Sequence, residues 1–440
     1  MRSSSLSLCL VLALAVVAPL ASQDMALVGG RLVDGYGGKP LEDSVVLVRE
    51  GRIEAVGQVG QLAVPEDLEV VSTEGMTVLP GLWDMHVHLM LVGHSNYVHW
   101  DRTYPERFGP DIMPAAAEQL LMAGVTSARD LGAPLEESID IRSKIRSGEI
   151  PGPNLYVSGP FIQHQPYPGT DQFRWGIDGV ADAKAKVARL AEAGVDWIKL
   201  IDQDQMTMDE VRAVVDEAHA RGLPVVAHSH RPEEIRRGIA AGVDGFEHTG
   251  LGTMPAYPDD VFELMKGRAN TLFWTPTITP LFLYEYTRDN PERIDDPRWR
   301  RGLPQDIAAD VRGSLERLER LDYYQLMPKR RPTLGRKFTQ LLESGVVLMI
   351  GTDSGVPLTF HSDSTWREID LWVRKFGVEP MAALQAATYW PAVAQGVIER
   401  SGTVSEGKDA DIIAVRGNVL NDVSLLRNVD VVIKGGRRYK

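Results

Sequence analysis

The sequence predicts an α/β protein, a (β/α)8 TIM barrel with a small β-sandwich domain built from both ends of the chain. Two observations support this prediction. Between residues 81 and 390, eight short apolar segments alternate with helical stretches, and eight parallel strands are the number that closes such a barrel. Before and after that range, in 23–80 and 391–440, short segments of alternating polarity are typical of antiparallel strands.

The composition fits a globular protein with a large core. Of the 440 residues, 44% are hydrophobic and 24% are charged, which argues against extensive disorder. The formal net charge is −13, or −14 without Arg2. Because an acidic chain is a poor partner for nucleic acid or for an anionic membrane surface, we expect neither.

Residues 1–22 have the layout of a secretory signal peptide. A positive charge at Arg2 precedes an apolar run over 6–17, and small residues follow as far as Ser22. The run is short for a membrane span, so we expect a secreted or periplasmic mature chain without one. An N-terminal anchor left uncleaved is the alternative, because the cleavage site is not a clean A-x-A. Cys9, the only cysteine, lies in this segment, which excludes disulfides and thiol catalysis in the mature chain.

The β-sandwich is predicted from segments at both chain ends. Residues 44–57 alternate apolar and polar side chains around Glu50-Gly51, which is typical of a hairpin. Near the C-terminus, 410–415 is predicted as a strand and 431–439 as a strand, a turn and a strand. Both ends are therefore expected to form one small β domain that the barrel interrupts.

Helices separate the eight predicted barrel strands. The strands are 81–88, 124–131, 154–163, 195–201, 224–230, 242–248, 271–277 and 346–353. Helices are predicted over 182–193, 208–221 and 232–241, the last two with capping residues at their starts. A charged, mostly helical insertion over about 281–336 follows the seventh strand. Such an insertion acts as a lid or as a subunit contact in a homo-oligomer, or is a solvated helical hairpin with no role.

Polar side chains recur at the ends of the predicted strands. In a (β/α)8 barrel, chemistry takes place at the carboxyl ends of the strands. The residues found there are His86 and His88 on the first strand, Lys199 on the fourth, His228 and His230 on the fifth, His248 on the sixth and Asp353 on the eighth. Histidines two residues apart on a strand point to the same side of it. This coincidence predicts a metal site rather than scattered structural histidines.

Lys199 is unusual because it interrupts an otherwise apolar strand. A lysine that extends to the barrel mouth is one interpretation. The other is a neutral amine that takes up CO2 and becomes a carbamate able to bridge two divalent ions. The ligands would be, for one ion, His86, His88 and Asp353 and, for the other, His228 and His248. A water shared by two ions would be acidified towards hydroxide and could attack a carbonyl or phosphoryl centre.

These residues resemble the metal-binding pattern of the amidohydrolase superfamily. The matching positions are His86-Val87-His88, Lys199, His228, His248 and Gly351-Thr352-Asp353-Ser354-Gly355. They are similar to the binuclear members with a carboxylated lysine on the fourth strand, which implies N6-carboxylysine at Lys199. Residues 407–413 resemble the family's return strand into the β-sandwich, and 386–392 resemble its helix after the barrel. Within the superfamily, the chain is most similar to prolidase-like Xaa-Pro and Xaa-Arg dipeptidases, ochratoxinase-like amidases and imidazolonepropionase-like proteins.

Chemistry and the resemblance together suggest two catalytic residues. Asp353 is the candidate general base, which takes a proton during attack and gives it to the leaving amine. His230 is a candidate for binding the oxyanion or the substrate, and a structural role beside the metal ligands is the alternative.

Three further residues are candidates for substrate binding. His164 ends the third strand, and His361 lies in the loop after the eighth. Arg129, at the end of the second strand, could hold a substrate carboxylate or could form an internal pair with Asp130. The remaining histidines that we considered are interpreted as bystanders, namely His94, His99 and His219.

The predicted function is that of a binuclear metal-dependent hydrolase. A metal-bridging hydroxide would attack an amide or peptide bond in a small substrate, a dipeptide or an N-acyl amino acid. Zinc suits the ligands, and manganese, iron and cobalt are compatible with them. The alternative at the same site is hydrolysis of a lactone, carbamate ester or phosphotriester. A non-catalytic binding barrel would require a damaged ligand set, whereas all six positions are filled.

Overall fold

A computed structural model describes residues 22–320 and 322–440 of the chain. The predicted signal segment, apart from its last residue, lies outside the described residues. Within the described ranges, none of the helices is both long and apolar enough to span a membrane.

Eighteen strands make up the sheets of the described chain. They are β1 (Met25–Leu32), β2 (Leu41–Arg49), β3 (Arg52–Gln58), β4 (Glu69–Ser72), β5 (Met76–Pro80), β6 (Leu82–Val87), β7 (Val125–Asp130), β8 (Asn154–Val157), β9 (Phe161–Gln163), β10 (Arg174–Gly176), β11 (Ile198–Leu200), β12 (Val225–His228), β13 (Gly245–Glu247), β14 (Phe273–Thr275), β15 (Val347–Leu348), β16 (Ile412–Arg416), β17 (Val431–Lys434) and β18 (Arg437–Arg438).

Fourteen α-helices accompany them in the same ranges. They are α1 (Tyr97–Thr103), α2 (Met113–Met122), α3 (Leu135–Ser147), α4 (Gly179–Ala193), α5 (Met208–Ala220), α6 (Pro232–Ala241), α7 (Asp259–Lys266), α8 (Pro280–Asp289), α9 (Gln305–Ser314), α10 (Asp322–Arg330), α11 (Leu334–Ser344), α12 (Ser364–Phe376), α13 (Pro380–Ala386) and α14 (Tyr389–Ala394). The sequence-predicted helices correspond to α4, α5 and α6, and α5 begins with a capping box between Thr207 and Glu210. The insertion over 281–336 is mostly helical, as expected.

Both ends of the chain contribute to one eight-stranded sheet. Its order is β18-β17-β16-β5-β1-β2-β3, with β4 beside β1. The predicted hairpin is β2 and β3, and its turn residues Glu50 and Gly51 both have positive φ, 49° and 79°. The two chain ends join where β5 pairs with β16 in antiparallel register, Val78 opposite Ala414. The N-terminal strands β1 to β5 lie on one side of this pairing and the C-terminal strands β16 to β18 on the other, so the pairing joins the two chain ends in one sheet.

The segment between the chain ends forms two parallel sheets, which confirms the predicted α/β class. One has the order β10-β9-β11-β12-β13-β14-β15, and the other has the order β6-β7-β8. Backbone hydrogen bonds connect both edge strands of the three-stranded sheet, β6 and β8, to the larger sheet. The Met85 amide donates to the Ile350 carbonyl oxygen at 3.0 Å, and the Asp196 amide donates to the Val157 carbonyl oxygen at 2.8 Å.

The third predicted strand is wrong as a single element. Residues 154–163 form two strands, β8 and β9, which belong to different sheets. The break falls at 158–160, where Gly159 has a φ of 64° and Pro160 has no amide hydrogen to donate to a ladder. β10 was not predicted, and it extends the larger sheet by pairing with β9.

Candidate metal centre

His86 in β6 and His88 just after this strand lie next to Asp353, which follows β15. His86 Nε2 and His88 Nε2 are 3.3 Å apart. Asp353 Oδ1 lies 3.2 Å from His88 Nε2 and 3.5 Å from His86 Nε2. The structure therefore brings together the three residues that the sequence predicts around one ion.

A second group of histidines lies at the ends of β12 and β13. The ring nitrogens of His228, His230 and His248 come within 4.8 Å of one another, close enough to hold one ion. His248 also belongs to a group with His86 and Asp353, and its Nδ1 lies 4.0 Å from Asp353 Oδ2. The two groups are thus contiguous. His230, predicted as an oxyanion or substrate contact, stacks on the ring of His248 with centroids 4.8 Å apart.

Lys199 is fully buried in β11, and its Nζ has no hydrogen-bond partner among the described residues. Burial lowers the pKa of the Lys199 ammonium to about 8. Burial also lowers the pKa of His86 and of His228 well below the usual histidine range, and the charge of Lys199 lowers both further. Neutral imidazoles are the form that ligates metals, and an unpartnered buried amine fits a group that is modified or neutral.

Glu247 is a site residue that the sequence analysis missed. It ends β13, is fully buried, and accepts a hydrogen bond at Oε2 from His86 Nδ1 at 2.8 Å. A proton on Nδ1 leaves His86 Nε2 free as a ligand, so Glu247 orients His86. Glu247 precedes His248 in an otherwise apolar strand, just as Lys199 interrupts an apolar strand. The same signal in the sequence therefore indicates a functional residue at position 247.

Arg129 is placed under the site rather than in it. Its guanidinium is fully buried and pairs with Glu247 Oε1 at 2.5 Å, while its Nε donates to the Met85 carbonyl oxygen. The face of the guanidinium lies 4.4 Å from the Trp197 ring centroid. The observed geometry is therefore closer to the alternative of an internal ion pair than to a substrate contact, although the partner of Arg129 is Glu247 and not Asp130.

The motif around Asp353 depends on small residues and on Asp84. A Cβ on Gly351 would lie 2.9 Å from the His86 amide nitrogen, and one on Gly355 would lie 2.4 Å from the His88 carbonyl oxygen. Asp84 accepts hydrogen bonds from the backbone amide and the hydroxyl of Thr352 at 3.0 and 2.7 Å. These contacts hold Asp353 against His86 and His88.

A cavity of about 980 Å³ opens over the histidines. His88, His228, His230, His248 and Asp353 line its floor. His164 and His361 are not among the described residues that line it, so the structure does not bring these two candidates into the cavity. The ring nitrogens of His361 are buried without a partner among the described residues.

Four arginines and an aspartate that were not selected from the sequence line this cavity. They are Arg102 of α1, Arg174 of β10, Arg231 immediately before α6, Arg330 of α10 and Asp101 of α1. Arg330 lies near His230, and its charge contributes to lowering the pKa of His230 to about 4, with burial as the main cause. Burial raises the pKa of Asp101 to about 6. The arginines outnumber the acidic residues among these wall residues, so the cavity suits an anionic substrate.

The donor set suits a divalent transition metal. Imidazole nitrogens and carboxylate oxygens are the ligands of zinc in hydrolytic sites. The buried amine of Lys199, which has no partner among the described residues, could become one more anionic ligand if it were modified. The fold and the site together define a hydrolase class in which such ligands collect at the carboxyl ends of parallel strands.

Comparison with known proteins identifies the family. The chain matches the amidohydrolase family over residues 77–264 and 331–439, and it belongs to that family. It is 25% identical over 472 residues to an ochratoxinase from Aspergillus niger, covering 96% of this chain and 88% of the relative. It is 30% identical over 424 residues to an imidazolonepropionase from Thermoplasma acidophilum, covering 90% and 88%.

A solved structure of a Xaa-Pro dipeptidase with methionine bound in its active site is similar over the same range. It is 26% identical, with a TM-score of 0.73 and coverage of 95% of this chain and 100% of that one. These findings confirm the predicted superfamily and the predicted group of prolidase-, ochratoxinase- and imidazolonepropionase-like proteins. The chain is thus an amidohydrolase, a hydrolase of carbon–nitrogen bonds.

Proposed function

We propose that this protein is a binuclear metal-dependent amidohydrolase that cleaves an amide or peptide bond in a small substrate carrying a carboxylate, such as a dipeptide or N-acyl amino acid. The observation that carries the proposal is Lys199, a buried amine without a partner among the described residues, next to histidines whose pKa values are lowered. A neutral lysine can be carboxylated by CO2 to N6-carboxylysine, which supplies the missing anionic ligand.

Six residues would hold the ions. They are His86, His88, Lys199, His228, His248 and Asp353. Bound divalent ions, zinc by ligand preference and manganese, iron or cobalt by compatibility, supply acidified water and polarise the scissile carbonyl. His230, 4.7 Å from the His228 ring between centroids, either donates a hydrogen bond to the substrate carbonyl or completes the second ligand group.

Asp353 performs the proton transfer in this proposal. It lies on the cavity floor next to His86 and His88, with its second oxygen turned towards His248. From this position the carboxylate takes a proton during attack and returns it to the leaving nitrogen, because an amine leaves an amide only when it is protonated.

Arg330 is the proposed partner of the substrate carboxylate. Its Nε is buried and has no hydrogen-bond partner among the described residues, although the side chain lines the cavity. A guanidinium binds a carboxylate through two parallel hydrogen bonds, which fixes the substrate with its amide over the histidines. The name of the Xaa-Pro dipeptidase supports a substrate that ends in a carboxylate.

The architecture and location extend the proposal. We propose a closed (β/α)8 barrel over 81–390, supported by the hydrogen bonds that connect the two parallel sheets, and a β-sandwich of 23–80 and 391–440. The apolar cluster of Met25, Leu27, Val46 and Ile412 within the sheet of the chain ends supports the sandwich. The signal-like segment 1–22 supports secretion or a periplasmic location.

Metal removal and a substrate panel test the function. Protein stripped by a chelator is expected to lose at least about 100-fold of its activity on dipeptides or N-acyl amino acids and to regain it with zinc. Metal content is measured on the same samples. Full activity of metal-free protein would refute metal dependence. Turnover of lactones, aryl esters or phosphotriesters with none of the amides would refute the proposed bond.

Replacement of Arg330 by methionine tests the carboxylate contact. KM is expected to rise about 10- to 100-fold for a dipeptide, since a hydrogen bond to a charged group is lost, and to change little for the same dipeptide with an amidated C-terminus. Arg336→Met is the matched control, because Arg336 is exposed and pairs with Glu343 at 3.2 Å. Equal effects of Arg330→Met on the acid and on the amide would contradict the assignment.

A further inference from the structure

A second cluster of metal-ligating side chains lies outside the cavity. His94, His99 and Asp310 place their ligand atoms within 4.8 Å of one another. His99 Nε2 lies 2.8 Å and His94 Nε2 lies 3.5 Å from the same oxygen, Asp310 Oδ2. The two histidines flank the start of α1, whereas Asp310 belongs to α9 in the insertion. From the sequence both histidines are interpreted as bystanders, and the structure places them beside a carboxylate more than 200 positions away in the chain.

The geometry of this cluster suits a small divalent ion. With bonds of about 2.0–2.1 Å, the ligand atoms of tetrahedral zinc are about 3.3 Å apart. The His94–Asp310 separation of 3.5 Å is close to this value, whereas the His99–Asp310 separation of 2.8 Å is that of a hydrogen bond, which a bound ion would replace. The imidazole rings stack with centroids 5.2 Å apart and direct both Nε2 atoms to Asp310. His94 Nδ1 accepts a hydrogen bond from the Asn96 amide at 3.0 Å and lies 3.2 Å from the Asn96 carbonyl oxygen. Metal binding at Nε2 therefore requires the other tautomer, in which the proton is on Nδ1 and is donated to this carbonyl oxygen.

The surroundings of the carboxylate support the same interpretation. The Tyr104 hydroxyl donates to Asp310 Oδ2 at 2.9 Å and fixes the carboxylate, as outer partners of metal ligands do. His94 is 5% exposed, whereas His99 and Asp310 are 42% and 35% exposed, so one ligand is anchored and the other two face solvent. An ion can therefore enter from the surface without passing through the cavity.

We propose that His94, His99 and Asp310 form a further divalent-metal site, separate from the cavity, that binds a zinc-type ion with water as the remaining ligand. The ion fastens α1 to α9. Because Val98, Asp101 and Arg102 of α1 line the cavity, occupancy of this site fixes one wall of the substrate cavity.

The experiment is a zinc titration of the metal-loaded protein, followed by dialysis and measurement of bound metal. Wild-type protein is expected to retain one more zinc ion per chain than His99→Ala or Asp310→Asn. The matched control is His219→Ala, because His219 and Asp244 form an exposed pair of nearly the same geometry, 2.9 Å apart and 43% and 33% exposed, without a second histidine. This control should keep the wild-type stoichiometry.

A Lys199→Ala background separates this site from the one in the cavity. Metal binding in the cavity is already lost or reduced in this background. If the proposed site exists, adding the His99→Ala substitution still removes one ion per chain. Thermal unfolding checks that the variants are folded. Asp310→Asn removes the carboxylate and so tests the site independently of His99. Equal zinc content in wild type, His99→Ala and Asp310→Asn, or an equal loss in His219→Ala, would overturn the proposal.

Discussion

Replacing Lys199 by alanine is expected to remove metal and hydrolytic activity together. The proposed carbamate on Lys199 would supply an anionic ligand near His86, His228 and His248, whose pKa values the charge of Lys199 influences, and alanine cannot form it. We expect the metal content to fall by at least one ion per chain and kcat to fall by about 10³-fold or more, since the charge at the reacting centre is no longer balanced. Metal analysis and rate measurements on the same preparation check this.

Two controls separate ligand loss from a general effect of removing a buried lysine. Lys408→Met removes a lysine that is 6% exposed but donates to the Ile398 carbonyl oxygen in the chain-end region, so metal content should not change. Formate or acetate should partly restore metal and activity to Lys199→Ala, because a small carboxylate fits the space of the missing carbamate. Activity of Lys199→Ala near the wild-type level would rule out the bridging role.

The pKa of Lys199 adds a pH dependence to reassembly. Only a neutral amine captures CO2, and burial lowers the pKa of unmodified Lys199 to about 8. The neutral fraction of the amine therefore rises as the pH increases through about 8. Metal-free protein supplied with bicarbonate and zinc should regain activity more completely at pH 9 than at pH 7, provided that dissolved CO2 is held equal.

The candidate ligands at strand ends could be predicted because the position of a parallel strand in the sequence defines which residue reaches its carboxyl end. That rule selected His86, His88 and His248, and the structure brings all three together. The rule correctly selects side chains that reach the cavity, but it also selects side chains that lie buried below the cavity floor. Arg129 also ends a strand, but it pairs with the buried carboxylate of Glu247 and does not line the cavity.

The walls of the cavity could not be predicted in this way. Arg174 lies on a short strand that has no periodic signal, and Arg330 lies at the end of a helix in the insertion. Their position depends on how connecting segments fold back over the sheet, which hydrophobic periodicity does not specify. The break between β8 and β9 was different, because Gly159-Pro160 is a turn signal that was visible in the sequence.

Replacing Asp353 by asparagine is expected to lower kcat by about 10³-fold while most of the metal remains bound. Asparagine keeps the shape and one ligand oxygen near His86 and His88, but it cannot accept and return a proton, a role worth about 10²- to 10⁴-fold. Metal content, measured beside kcat, distinguishes this result from the joint loss expected for Lys199→Ala. Asp101→Asn, on the cavity wall, is the control and should alter KM more than kcat.

The leaving group makes the role of Asp353 specific. An alkoxide or phenoxide can leave without a proton, whereas an amine cannot, so a residue that protonates the leaving group matters more for an amide than for an ester of the same acyl group. Asp353→Asn should therefore lose a larger factor on an N-acyl amino acid than on the matching aryl ester. An equal factor on both substrates would restrict Asp353 to the attack step, and a variant that retains full kcat would remove it from proton transfer altogether. The comparison thus tests whether the carboxylate on the cavity floor returns the proton that it takes.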